Sequence, residues 1–113
     1  MKAVAVYLAN IFLLMTWHTA VAAAQSNDVS QGRKLFQEKC VICHGADGKG
    51  HGPAAAAFSK RPADFTKSAF WHGDVDKKIS DIIRNGHQPM PAFSLSADEI
   101  QAIIDYMKQA FEK

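Results

Sequence analysis

The 113-residue chain has 13 Lys and Arg against 11 Asp and Glu, a formal net charge of +2, and 48% hydrophobic residues. So small a basic excess excludes an ordinary nucleic-acid binder, and the length allows one small domain. No internal repeat or low-complexity tract is present, and the hydrophobic share is inflated by the N-terminal stretch.

That stretch reads as an export signal. Lys2 supplies a positive start, Ala3 to Met15 a nearly continuous apolar run, and Ala22-Ala23-Ala24 before Gln25 a processing site. Cleavage is expected after Ala24, leaving 25–113 as the working domain in the periplasm or an equivalent exported compartment. A retained membrane anchor over Ala3 to Ala24 is the alternative, if Asn10, Thr16 and His18 are tolerated. Once Lys2 is removed, the remaining charges nearly balance. A domain this small is short of core and calls for a staple.

Val29, Gly32, Leu35, Phe36 and Cys40 approximate one helical face beginning after Asn27 or Asp28. This helix leads into Cys40-Val41-Ile42-Cys43-His44, the Cys-x-x-Cys-His pattern by which haem is covalently attached to a chain. Two thiols can form thioethers while the adjacent imidazole approaches the iron. A disulfide, a metal site or a redox pair are the plainer readings of two such cysteines.

From His44 to about Trp71, Gly45, Gly48, Gly50 and Gly52 favour turns over helix, with one short helical turn expected over Ala54 to Phe58. So long a connection in a small domain needs a reason, and wrapping a prosthetic group is a sufficient one. Val75, Ile79, Ile82 and Ile83 then predict a middle helix with Asp74 near its start and Asn85-Gly86 as its stop. Ser96-Ala97-Asp98-Glu99 is a capping-box pattern ahead of Ile100, Ile103, Ile104, Met107 and Phe111. No segment shows sustained strand alternation, so the fold class is all-α.

Gly32 and Phe36, the Cys40 to Gly45 segment, Asp47-Gly48-Lys49-Gly50-His51-Gly52-Pro53, Met90-Pro91-Ala92-Phe93 and the helix bearing Tyr106 occur in an order that resembles small class I c-type cytochromes. The resemblance covers nearly all of 25–113 and implies three main helices and long loops enclosing one covalently bound haem c. It implies thioethers at Cys40 and Cys43, His44 as proximal axial ligand and Met90 as distal ligand. Pro53 would offer its carbonyl to the second nitrogen of His44, and Gly32 and Phe36 would pack against Tyr106. A soft thioether opposite imidazole favours ferrous iron and suits one-electron cycling.

Residue chemistry supports parts of this independently. Only Met90 and Met107 follow the signal, and Met107 fits the apolar stripe of the last helix. Pro89 and Pro91 would hold Met90 on a stiff loop. His51, His72 and His87 read as loop or surface residues, with His87 the leading substitute for Met90. Phe70 and Trp71 are expected to line the haem pocket. No role follows for Asp64-Phe65, and Lys60, Arg61, Lys67, Lys77 and Lys78 are either a docking surface for an acidic partner or simply solvated.

The expected function is single-electron transfer between a redox protein donor and acceptor, by a monomer or transient complex that is not itself an enzyme. A haem-based ligand sensor or peroxidase-like protein, or a cytochrome subunit of a larger oxidase or dehydrogenase complex, are the rivals. A zinc site lacks the local His spacing, and a thioredoxin-like protein would need strands.

Overall fold

The structure is a computed structural model that describes residues 28–113. The signal segment 1–24, and its alternative as an anchor, lie outside the described residues. Four α-helices follow one another: α1 over 28–39, α2 (Val41–His44), α3 (Val75–Asn85) and α4 (Ala97–Phe111), with 3-10 turns at Ala55–Ala57 and Ser68–Trp71. Among the described residues the only extended pairing is an isolated bridge between His87 and Met90. The all-α expectation is met.

Local chemistry accounts for the ends of the long helices. At the start of α4 the Glu99 N–H donates to Ser96 Oγ at 3.2 Å while the Ser96 N–H donates to Glu99 Oε2 at 2.8 Å, so two amides left over by helix geometry are satisfied reciprocally. Helix α3 ends at Gly86, whose φ of 75° few other residues adopt, with its N–H donating to Ile82 O at 2.8 Å.

The core is built from the three longer helices and one loop residue. Ile100, Ile103, Ile104, Met107 and Phe111 of α4 meet Val75, Ile79 and Ile83 of α3, Phe36 of α1, and Phe65 from the long loop. Burying each large side chain contributes about 1.5–3 kcal/mol. Ile82, which shares the α3 periodicity, is instead half-buried and lines an outward cleft. One ion pair, Lys108 Nζ to Asp76 Oδ2 at 2.7 Å, ties α4 to α3 at the surface.

Helix α1 crosses α4 at Gly32, which is buried. A Cβ built there would land on the Ala102 carbonyl and lie 2.9 Å from Ile103 N, so only glycine permits this approach. One turn later Phe36 stands 5.4 Å from the Tyr106 ring and 5.5 Å from that of Phe111. The expected packing of Gly32 and Phe36 against the last helix is therefore found. It leaves the C-terminal end of α1, and the cysteines that follow, fixed against the core.

Candidate functional site

Cys40, Cys43 and His44 occupy a single turn. Cys40 is the N-cap of α2, its carbonyl accepts from the N–H of Cys43 at 3.2 Å and of His44 at 2.9 Å, and the first amide it donates reaches back to Phe36 O at 2.9 Å. Both thiols are free and half-buried. Between them Ile42 points outward, 57% exposed, the one large hydrophobic residue so placed among the described residues.

The glycine-rich loop holds this turn by its main chain. Gly45 N–H donates to Val41 O at 2.9 Å, Gly52 N–H to Cys43 O at 3.0 Å, and Ala54 N–H to Ile42 O at 2.8 Å, while Gly50 N–H reaches His44 O at 2.8 Å. These bonds satisfy the terminal carbonyls that so short a helix leaves over. Gly52 must lack a Cβ, which would stand 2.5 Å from the carbonyl oxygens of both Val41 and Ile42.

Burial shapes the ionisation of the donors. The Cys40 thiol is pushed up to about 11 by burial, with the neighbouring Cys43 adding to the effect and Lys39 opposing it. The His44 imidazole is held below its ordinary value by burial, partly offset by the Ala63 carbonyl. A neutral imidazole whose Nδ1–H faces that carbonyl, 3.5 Å away, leaves Nε2 with a free lone pair for a metal.

The carbonyl facing His44 here is that of Ala63, whereas the resemblance implied Pro53. Pro53 sits exposed in the turn between Gly52 and Ala54, whose amides both point at α2. The loop instead doubles back so that Phe65 N–H donates to Gly48 O at 2.8 Å, which carries Ala63 toward the imidazole.

Phe65 is the residue that sequence reasoning left without a role. Its ring stacks on His44 at 4.6 Å with 23° between the planes, and it also contacts Phe70 at 4.9 Å. Asp64 fixes the local turn, its Oδ1 accepting from Thr66 N at 2.9 Å and from Thr66 Oγ1 at 2.7 Å. The Trp71 indole donates to Phe65 O at 2.8 Å, and Phe70 and Trp71 pack edge to face. An Asp side chain bonding the amide two residues on is a common turn former, and here the turn serves the stacking of Phe65 on His44.

Met90 is half-buried against the core cluster, in a turn closed by His87 N–H to Met90 O at 2.9 Å and Met90 N–H to His87 O at 2.8 Å across a cis Gln88–Pro89 bond. The Phe93 N–H donates to Ile83 O at 2.8 Å and anchors the exit of the turn on α3. His51, His72 and His87 are exposed. Among the described residues no three His, Cys, Asp or Glu side chains gather where they could hold a metal ion.

The donor set fits covalently attached haem. A thioether sulfur carries no ionisable proton, so the burial that opposes a Cys40 thiolate opposes nothing once sulfur is bonded to carbon. A neutral imidazole and a thioether are both iron donors, and Leu35, Val41, Phe70, Trp71 and Phe93, half-buried against the core cluster, leave apolar surface for a haem to cover.

Residues 27–107 match the family described as cytochrome c oxidase, cbb3-type, subunit III. A cytochrome c-553-like protein of Synechocystis sp. is 27% identical over 86 residues, which cover 75% of this chain and 71% of that one. A cytochrome bc1 complex cytochrome c subunit of Corynebacterium diphtheriae is 33% identical over 90 residues, 75% of this chain but only 28% of that protein. The family match takes in α1, the Cys-x-x-Cys-His turn, the Met90 turn and most of α4 in one uninterrupted span, and the chain therefore belongs to this c-type cytochrome family, carrying covalently bound haem c and transferring electrons without being an enzyme.

Proposed function

We propose that the chain is an exported monohaem electron carrier in which Cys40 and Cys43 form the thioethers and His44 and Met90 are the axial ligands. The observation that carries this reading is the single turn that presents two half-buried thiols and a neutral imidazole together. Bound haem supplies one-electron cycling of its iron between ferrous and ferric states. The protein's own part is positional. Phe65 and the Ala63 carbonyl restrain the His44 ring from its face and its Nδ1 edge. The Met90 turn is pinned to α3 through Phe93, and rigid donors limit rearrangement when the charge changes.

On this reading residues 1–24 direct export and are removed, and 25–113 work in the periplasm. Among the described residues no helix is long and apolar enough to cross a membrane. The partners are a redox protein donor and an acceptor met in transient complexes. The similarity to a cytochrome c subunit of a bc1 complex supports a second reading, a subunit seated in a larger assembly.

The test is the absorption spectrum of protein exported with haem-maturation machinery, after denaturing extraction and, in native protein, with and without carbon monoxide. Haem retained through denaturation with no carbon monoxide response is expected. Ready carbon monoxide binding would move the assignment to a sensor or peroxidase, and loss of haem on denaturation would remove the thioether assignment. A Met90→Ala change should lower the reduction potential; an unchanged potential and spectrum would take Met90 out of its role.

A further inference from the structure

We propose that His87 is a second iron donor carried on the same turn as Met90, and that it takes the distal position when the Met90 thioether is lost. The inference rests on the assignment of Met90 as distal ligand. Its own ground is the pairing of the two residues. His87 and Met90 form an antiparallel bridge with both reciprocal bonds made, at 2.9 and 2.8 Å. Directly opposed residues in such a pair project their side chains to the same face, with Cβ atoms about 4.5–5.5 Å apart. A thioether and an imidazole therefore leave one turn side by side.

The two side chains differ in their attachments. Met90 packs on the core cluster, whereas the His87 imidazole is exposed and borders an open cleft of about 530 Å³ lined also by Asp74, Lys77, Lys78, Asp81 and Ile82. No hydrogen bond or ion pair to a described residue holds that imidazole. The lysines of the same cleft are weaker candidates. Lys77 is bonded to Asp81 at 2.6 Å, and an ammonium group at neutral pH has no lone pair to give. Imidazole has one and is an established iron donor.

The turn is closed on itself by the bridge and pinned to α3 through the Phe93 N–H to Ile83 O bond, so the exchange is one of side chains on a turn that keeps its place. Met90 is also the donor open to chemical loss. Transfer of one oxygen atom from peroxide to its sulfur, with release of water, turns the thioether into a sulfoxide. His87 would then keep the iron six-coordinate and closed to further peroxide.

The test compares wild type, Met90→Ala, His87→Ala and the double variant, all with haem attached, by ferric spin state and carbon monoxide binding. Wild type and His87→Ala should both show the sulfur-to-iron charge-transfer band of a Met ligand. Met90→Ala should lose that band yet stay low-spin, and the double variant should become high-spin. If His87 holds nine iron atoms in ten in Met90→Ala, carbon monoxide affinity should be about tenfold lower there than in the double variant. Added imidazole should return the double variant to low spin. A Met90→Ala protein already high-spin, or a double variant that stays low-spin, would overturn the role of His87. A Met90→Ala spectrum identical to wild type would overturn the Met90 assignment and with it this one, and is recognisable as such because the charge-transfer band would persist.

Discussion

Replacing Gly32 with Ala sets two physical effects against each other. Glycine inside a helix is poorer than alanine by about 1 kcal/mol, so on propensity alone the change should stabilise α1. The structure gives the opposite sign. The new Cβ would fall on the Ala102 carbonyl and 2.9 Å from Ile103 N, and these are backbone atoms of a helix that cannot rotate away. Carbon atoms rest at about 3.5–4.0 Å, so α1 has to withdraw from α4 by on the order of 1 Å or more. Phe36 moves with it and loosens its ring contacts with Tyr106, Phe111 and Phe65. Overpacking a close contact costs about 1–3 kcal/mol, and a rigid obstacle places this case at the upper end. After the propensity gain the net loss is about 2 kcal/mol, or about 8–16 °C in Tm for a domain of this size.

Thermal unfolding of the haem-loaded protein, followed by helical circular dichroism, measures the effect. Gly32→Val should fall further than Gly32→Ala, because the added methyl groups enlarge the clash. A Tm for Gly32→Ala equal to or above wild type would refute the close-approach argument and leave Gly32 as an ordinary poor helix former.

Three other changes probe separate links. Ser96→Ala removes half of the capping box at α4 and should cost about 1 kcal/mol, seen as a Tm lower by about 4–8 °C; no shift would mean that water replaces the cap at no cost. Phe65→Ala empties a buried site that touches His44, Phe70, Phe36 and Phe111 and should cost about 3–5 kcal/mol. It should also shift the reduction potential, whereas a potential held at the wild-type value would show that the His44 ring needs no support from Phe65. Lys108→Met breaks the pair with Asp76, whose side chains are 36% and 40% exposed, so the loss at neutral pH is at most about 1 kcal/mol. Asp76 raises the Lys108 value above the ordinary 10.5. The contribution is therefore fully present below pH 10.5 and lost as pH rises through the higher folded value. Denaturant unfolding across that range should show the two proteins converging at the alkaline end, and a gap that widens there would be wrong in sign.

The parts of the molecule legible in the sequence are those encoded by neighbours in the chain. The capping box before Ile100, the Asn85-Gly86 stop and the 3.6-residue spacing of Ile100, Ile103, Ile104 and Met107 all act within a turn or two, and each appears where expected. The loop over 45–67 obeys a different logic. Its fold is set by main-chain bonds such as Gly50 to His44, Gly52 to Cys43 and Phe65 to Gly48; the glycines mark the segment as turns, but which carbonyl each amide reaches leaves little trace in residue type. Nothing in residue type marks Ala63, rather than the Pro53 that the resemblance implied, as the carbonyl beside His44, and Phe65 has no periodic partner to announce its burial.

This division also separates stability from tuning. The contact of α1 with α4, at Gly32 and Ala102, holds the frame, while the carbonyls of α2 are met by loop amides, among them that of Gly52. Phe65 belongs to both systems. Its ring lies 6.0 Å from Phe111 and 6.3 Å from Phe36 in the core, and 4.6 Å from the imidazole that faces the iron site. A strain introduced between α1 and α4 therefore has a route to the imidazole through this side chain, beside the main chain that runs from Phe36 through Cys40 to His44. Changes in the frame that leave the Phe65 ring in place should alter Tm with little change in potential, and those that tilt it should alter both.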